Sequence, residues 1–74
     1  MINSEKLVKG QKLRIDLDEV FDRLPDKILA ELKLEPYGVW TGGYKMVDGN
    51  SFGLVLELKD GRKMWFFESE LFES

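Results

Sequence analysis

The sequence predicts a small all-β domain that contains one short helix. Three observations carry this prediction. Residues 12–17 and 54–58 alternate apolar and polar side chains, which is the period of a strand with one buried face. Asp-Gly pairs at 48–49 and 60–61 favour tight turns between strands. Only residues 25–33 carry a clear helical repeat, so helix is confined to one segment.

The composition restricts both the size of the core and the available chemistry. With 74 residues the chain is predicted to form a single domain, 1–74, whose core is small and whose stability is marginal. It contains no cysteine and no histidine. Disulfides, thiolate ligands and the usual general base near neutral pH are therefore missing. We expect no enzyme, and the sequence predicts no catalytic residue, no cofactor-binding residue and no metal ligand.

The charge balance argues against a nucleic-acid partner. The formal net charge is −3, from 14 acidic and 11 basic residues, and an acidic chain is repelled by phosphate backbones. A nucleic-acid-binding barrel needs a basic face, and Arg62-Lys63 near Lys45 offers only a small one. No apolar run approaches the roughly 20 residues that span a bilayer. Membrane association is therefore expected only through a protein partner or a surface patch.

The first part of the chain is predicted to hold an arm and a strand. Residues 1–9 are polar without a clear period and are predicted to form a partly mobile N-terminal arm. Residues 12–17 form the first predicted strand, with Leu13, Ile15 and Leu17 on one face.

A helix is predicted over residues 25–33. Leu24, Ile28 and Leu32 recur at every fourth position and form an apolar stripe. Pro25 is well tolerated at the first helical position and disfavoured inside a helix, so the helix is predicted to begin there. The stripe is expected to cap one end of the domain, although an amphipathic helix that binds a partner is the alternative.

The strand that follows the helix is predicted over residues 39–47, with a bulge or bend at Gly42-Gly43. Together, the pattern indicates five strands, with a long connection between the first two and a turn before a short last strand. This arrangement describes an SH3-like five-stranded barrel with one short helix between strands 1 and 2.

The hairpin around residues 60–61 decides which side chains face the core. A two-residue type I′ turn at this Asp-Gly pair sets Leu56 opposite Trp65 and Leu54 opposite Phe67. The predicted inner face of the hairpin therefore contains these two leucines and these two aromatic residues.

The outer face of the same hairpin is also predicted to be apolar. Side chains alternate along a strand, so Val55, Met64 and Phe66 are expected to point away from the core. Soluble monomers seldom expose so much contiguous apolar surface, so this face is predicted to bind a protein. The predicted partner-binding residues are Tyr44, Lys45, Met46, Val55, Arg62, Met64 and Phe66.

Residues 43–71 carry a family resemblance. The motifs are Gly43-Tyr44-Lys45-Met46, Asp48-Gly49, Asp60-Gly61 and Trp65-Phe66-Phe67-Glu68. With them, and with a helical insertion similar to residues 25–32, the chain resembles PetP, a family of small peripheral subunits of the cyanobacterial cytochrome b6f complex. The resemblance covers most of residues 10–72.

The resemblance implies a non-catalytic peripheral subunit that has no cofactor of its own. Such a subunit docks on the cytoplasmic face of the thylakoid complex without inserting into the membrane, and it is a soluble monomer when detached. It stabilises the complex or modulates linear versus cyclic photosynthetic electron transport.

Two alternatives share the same kind of barrel. One is a subunit of another photosynthetic complex, similar to the photosystem I subunit that has this barrel or to the variable chain of ferredoxin–thioredoxin reductase. The other is an SH3- or Tudor-like module that binds proteins or peptides. In that module Trp40, Tyr44, Trp65 and Phe66 form an aromatic cage or a groove.

Overall fold

The predicted elements are present in the computed structural model, which describes residues 2–49 and 51–73, with all their side chains but that of residue 4. The strands are β1 (Lys12–Ile15), β2 (Tyr37–Asp48), β3 (Ser51–Glu57), β4 (Lys63–Phe66) and β5 (Leu71–Glu73). The helices are α1 (Leu17–Val20) and α2 (Asp26–Leu34), with 3-10 turns at Ser4–Lys6 and Glu68–Glu70. The prediction of a mostly β chain with helix between the first two strands is confirmed.

The five strands form one antiparallel sheet in the order β4-β3-β2-β1-β5. β2 is the longest strand and lies at the centre, where its first residues pair with β1 and the rest of its length pairs with β3. β5 pairs with β1 at the edge, so the last strand lies beside the first. Closure of this sheet into an SH3-like barrel stays a prediction.

A bulge bends β2 where the sequence predicts it. The register with β3 shifts between Trp40 and Tyr44, and Gly42 within this stretch has a φ of 88°. That conformation costs a residue with a Cβ roughly 1–2 kcal/mol, which is why glycine is suited to this position. Beyond the bulge the side chains at positions 44–46 are exposed, so the distal half of β2 extends past the core.

The first strand ends earlier than predicted because a helix cap follows it. β1 stops at Ile15, and the carboxylate of Asp16 accepts a hydrogen bond from the backbone N–H of Asp18 at 3.1 Å. This N-cap starts α1 at Leu17, a residue that the alternation had placed in the strand. Leu17 is half-buried and packs against the core from its helical position.

The second helix follows its predicted stripe. Pro25 is the N-cap of α2 rather than its first residue, and the helix continues to Leu34. Ile28 and Leu32 are buried in the core, and Leu24 joins them from the preceding turn. The helix therefore packs its apolar stripe against the sheet as expected.

The N-terminal residues hold a core side chain that their polar pattern conceals. Ile2 is buried among the core residues, and the backbone N–H of Gly10 donates to the carbonyl oxygen of Trp40 at 2.8 Å. Part of the predicted arm, 1–9, therefore contributes to the core, while its mobility stays a prediction. Residue 1 lies outside the described residues.

The β3–β4 turn differs from the predicted two-residue turn. Gly61 donates its N–H to the carbonyl of Leu58 at 2.9 Å, and Leu58 donates its own N–H to the carbonyl of Arg62 at 2.8 Å. Gly61 has a φ of 88°. This is a three-residue loop, in which a type I turn is followed by a glycine bulge. The extra loop residue shifts β4 by one position.

The shift reverses the two faces of β4, because a one-residue slip moves every side chain to the other side of a sheet. Leu54 lies opposite Phe66, and Val55 lies opposite Trp65. Phe66 is 0% exposed, whereas Trp65 and Phe67 are only half-buried. The predicted inner and outer faces of β4 are therefore wrong. The faces of β3 are as predicted, with Leu54, Leu56 and Leu58 buried.

Candidate partner-binding surface

The structure separates the predicted partner-binding residues into three groups. Phe66 is fully buried and Met64 packs against the core, so their predicted outward orientation is wrong. Val55 and Arg62 are half-buried. The exposed members are Tyr44, Lys45 and Met46, which follow one another near the distal end of β2.

An exposed apolar surface, here called the distal patch, consists of Tyr44, Met46 and Phe52. Their side chains are 52%, 61% and 53% exposed, respectively. Met46 pairs with Phe52, and Tyr44 pairs with Leu54 two residues further along β3. The alternation of side chains therefore places all three on the face of the sheet that carries the core, beyond its edge.

Phe52 is the patch residue that the sequence analysis missed. The signal was available, because Phe52 continues the alternation of Leu54 and Leu56 toward the N-terminus. The intervening Gly53 is buried, and a Cβ there would lie 2.8 Å from the Cε3 atom of Trp65. Trp65 thus covers β3 on the face opposite to the distal patch, where only a glycine leaves room for it.

The distal patch borders a shallow pocket of about 370 Å³ lined by Tyr44, Phe52, Leu54 and Glu68. The ring of Tyr44 meets the ring of Trp40 edge to face, with a centroid distance of 5.6 Å and an interplanar angle of 71°. The indole N–H of Trp40 donates to the carbonyl of Gly43 at 3.1 Å. Tyr44 is therefore supported from the core side while its other side faces solvent.

The predicted aromatic cage does not assemble. Trp40 and Phe66 are buried, and Trp65 lies on the opposite face of the sheet from Tyr44. The Trp65 ring is already covered, because the guanidinium of Arg23 lies 4.2 Å from its centroid and Phe67 packs edge to face against it at 5.1 Å. These contacts leave no shared open pocket for a cation among the four aromatic residues.

The sequence analysis also missed a buried ion pair. Arg23 donates from Nε to Glu70 Oε2 at 3.0 Å and from Nη2 to Glu70 Oε1 at 2.5 Å. The backbone N–H of Phe67 donates to the same Oε1 at 2.8 Å. Glu70 is 4% exposed, so the prediction that it occupies an ordinary solvated position is wrong. The pair joins the α1–α2 connection to the turn before β5.

No metal centre or membrane span is found in the part of the chain that the structure describes. Among residues 2–49 and 51–73, no acidic side chains cluster in a way that would hold a metal ion. Within the same residues, no helix is both long enough and apolar enough to cross a membrane.

Comparison with known proteins gives one family. A family model described as "Cytochrome b6f, subunit Tsr0524-like" matches residues 9–72. The matched range contains all of the sheet but its last residue, both α-helices and the distal patch. No curated protein and no solved structure matches the chain. The resemblance to a cytochrome b6f subunit family, drawn from the motifs of residues 43–71, is confirmed by this match.

Proposed function

The chain belongs to the Tsr0524-like family of cytochrome b6f subunits, and from this membership we propose that it is a non-catalytic peripheral subunit on the cytoplasmic side of the thylakoid complex. There it stabilises the complex or modulates linear versus cyclic photosynthetic electron transport, as the resemblance to cyanobacterial PetP implies. Away from the complex, the chain is a soluble monomer. The family match is the observation that carries this proposal.

Its effect on electron flow is proposed to act through binding. The sequence has no cysteine and no histidine, which are the residues that most often hold iron–sulfur clusters and haem. A chain with this composition influences an electron-transfer complex by occupying a surface or holding subunits together, rather than by carrying electrons.

The distal patch is proposed as the surface that docks on the complex. Aromatic and methionine side chains are enriched at protein interfaces, and Tyr44, Met46 and Phe52 are all more than half exposed. Contiguous exposed apolar surface often marks an interaction site. Lys45 lies between Tyr44 and Met46 in β2, and its exposed side chain supplies a charge beside the patch. This proposal replaces the buried Phe66 by Phe52.

The proposal predicts that the combined change Met46→Ser and Phe52→Ser abolishes co-purification with the complex. A tagged chain is purified from detergent-solubilised cyanobacterial thylakoid membranes, and cytochrome b6f subunits are identified in the eluate. Loss of two apolar interface anchors, at about 1–2 kcal/mol each, lowers retention by tenfold or more. Circular dichroism should remain unchanged, because both side chains are largely solvated.

Phe21→Ser is the matched control, since Phe21 is also an exposed aromatic residue but follows α1, away from the distal patch. It should co-purify like the unmodified chain. Retention of the complex by the folded double variant would place the docking surface elsewhere. Absence of cytochrome b6f subunits from the eluate of the unmodified chain would contradict the proposed function itself.

A further inference from the structure

A second concave surface lies at the other end of the sheet. A groove of about 360 Å³ separates the C-terminal end of α2 from the β3–β4 turn. Its apolar lining includes Leu32, Tyr37 and Leu58. Leu34, at the end of the helix, is 89% exposed, more than any other large apolar side chain in the described part of the chain. The groove thus combines a preformed apolar floor with an unburied leucine at its margin.

The margin of the groove is acidic. Glu31, Glu35 and Asp60 line it together with a single base, Lys59, which gives a net charge of 1 − 3 = −2. Arg62 lies beside this margin, 3.7 Å from Glu31 and 3.3 Å from Asp60. Adding Arg62 still leaves a net charge of 2 − 3 = −1. A ligand with positive charge is therefore favoured at this surface.

Glu35 is the acid with the greatest unused capacity to accept hydrogen bonds. Its Oε2 atom lies 3.4 Å from Lys59 Nζ, but among the described residues it has no hydrogen-bond partner. The Lys59 side chain is 81% exposed, and ion pairs of such exposed side chains contribute little to stability. A cation from a ligand can displace Lys59 and pair with Glu35 at little cost to the fold.

An apolar floor beside an acidic margin complements a short peptide in which an apolar side chain is flanked by Lys or Arg. Membrane proteins concentrate Lys and Arg in their short cytoplasmic loops. We infer that the groove binds a basic cytoplasmic loop of a membrane-spanning partner, with its apolar side chain against Leu32 and Leu58 and a Lys or Arg at Glu35. The choice of a cytoplasmic loop rests on the proposed function.

This groove is separate from the distal patch. Tyr37, which lines the groove, is the first residue of β2, whereas Met46 of the patch lies near the end of that strand. Occupation of one surface therefore leaves the other accessible. With both surfaces engaged, the domain holds two segments of a complex at opposite ends of its sheet.

The inference is tested on the full-length ¹⁵N-labelled chain with a defined probe, the peptide acetyl-Gly-Lys-Leu-Lys-Arg-Gly-amide. Amide chemical-shift changes should cluster at Leu34, Glu35, Tyr37 and Lys59, and the affinity should fall as the salt concentration rises. A matched peptide with Glu in place of each Lys and Arg should cause no shifts. Leu34→Ser and Glu35→Gln should each weaken binding by about tenfold.

Glu19→Gln is the control for Glu35→Gln, because it removes an exposed carboxylate on α1 and should leave the affinity unchanged. Equal binding of the acidic peptide, or shifts centred on the distal patch, would overturn the inference. The probe does not require the complex, so its failure leaves the proposed function intact if the tagged chain still co-purifies. Peptide binding without co-purification would instead overturn the membrane-protein source of the ligand.

Discussion

Phe66→Ala is expected to destabilise the domain by about 3–5 kcal/mol, the range for removing a buried aromatic side chain. Phe66 is the largest fully buried side chain, lies opposite Leu54 and belongs to the central core. Small domains have only about 5–15 kcal/mol of total stability, so this loss is a large fraction of it. Urea unfolding followed by circular dichroism measures the change in the free energy of unfolding.

Phe52→Ala is the matched control, because it makes the same substitution on the neighbouring strand, on the same face of the sheet. Phe52 is exposed beyond the core, and surface substitutions of this kind change stability by about 0.5 kcal/mol. Similar losses for the two variants would contradict the observed register of the β3–β4 hairpin. The two-residue turn predicted from the sequence would have reversed this expectation, because it placed Phe66 in solvent.

Arg23→Ala is expected to cost about 3–5 kcal/mol, because it leaves the carboxylate of Glu70 buried without its charged partner. Glu70 would then keep only the hydrogen bond from the N–H of Phe67 among the bonds described. The variant also loses the guanidinium that lies 4.2 Å from the Trp65 ring. The same urea titration measures this effect.

A double variant, Arg23→Met with Glu70→Gln, separates the buried charge from the loss of side-chain volume. The amide oxygen of Gln can still accept from Phe67, and replacing a buried ion pair by neutral groups is often close to neutral for stability. We therefore expect the double variant to be more stable than Arg23→Ala. If it were equally unstable, the uncompensated charge would not be the cause.

Local patterns were sufficient to predict the elements of this fold. The alternation in β1 and β3 and the four-residue repeat in α2 each reflect which face of an element is buried, and that period is written into adjacent residues. The bulge at Gly42 was likewise visible as a glycine pair inside a strand. The ends of β1 and α2 moved by one or two residues, because Asp16 and Pro25 act as caps.

The register of β4 was not decided by its turn sequence. An Asp-Gly pair fits a two-residue type I′ turn, but the same glycine also fits the bulge position of a three-residue loop. The choice between them depends on which face of β4 packs better against the rest of the core. Because Met64, Trp65, Phe66 and Phe67 are all large and apolar, alternation along this strand gave no signal.

The contacts between distant parts of the chain were also outside the reach of local patterns. Arg23 and Glu70 are 47 positions apart, and neither stands out from the other charged residues. Ile2 lies in a polar stretch but joins the core. At the candidate interface, Tyr44 and Met46 were predicted correctly as exposed, while Phe52 was missed because the predicted strand starts two residues after it.

Site-specific photo-crosslinking from the distal patch tests the docking proposal most directly. Phe52→p-benzoylphenylalanine is expressed in cyanobacterial cells, thylakoid membranes are irradiated, and the adducts are identified by mass spectrometry. A control with the same photoreactive group at Asp22, an exposed position in the α1–α2 connection, accounts for random encounters. We predict adducts with cytochrome b6f subunits from position 52 and few from position 22. Equal adducts from both positions, or adducts from position 52 only with proteins outside the complex, would contradict docking through the distal patch.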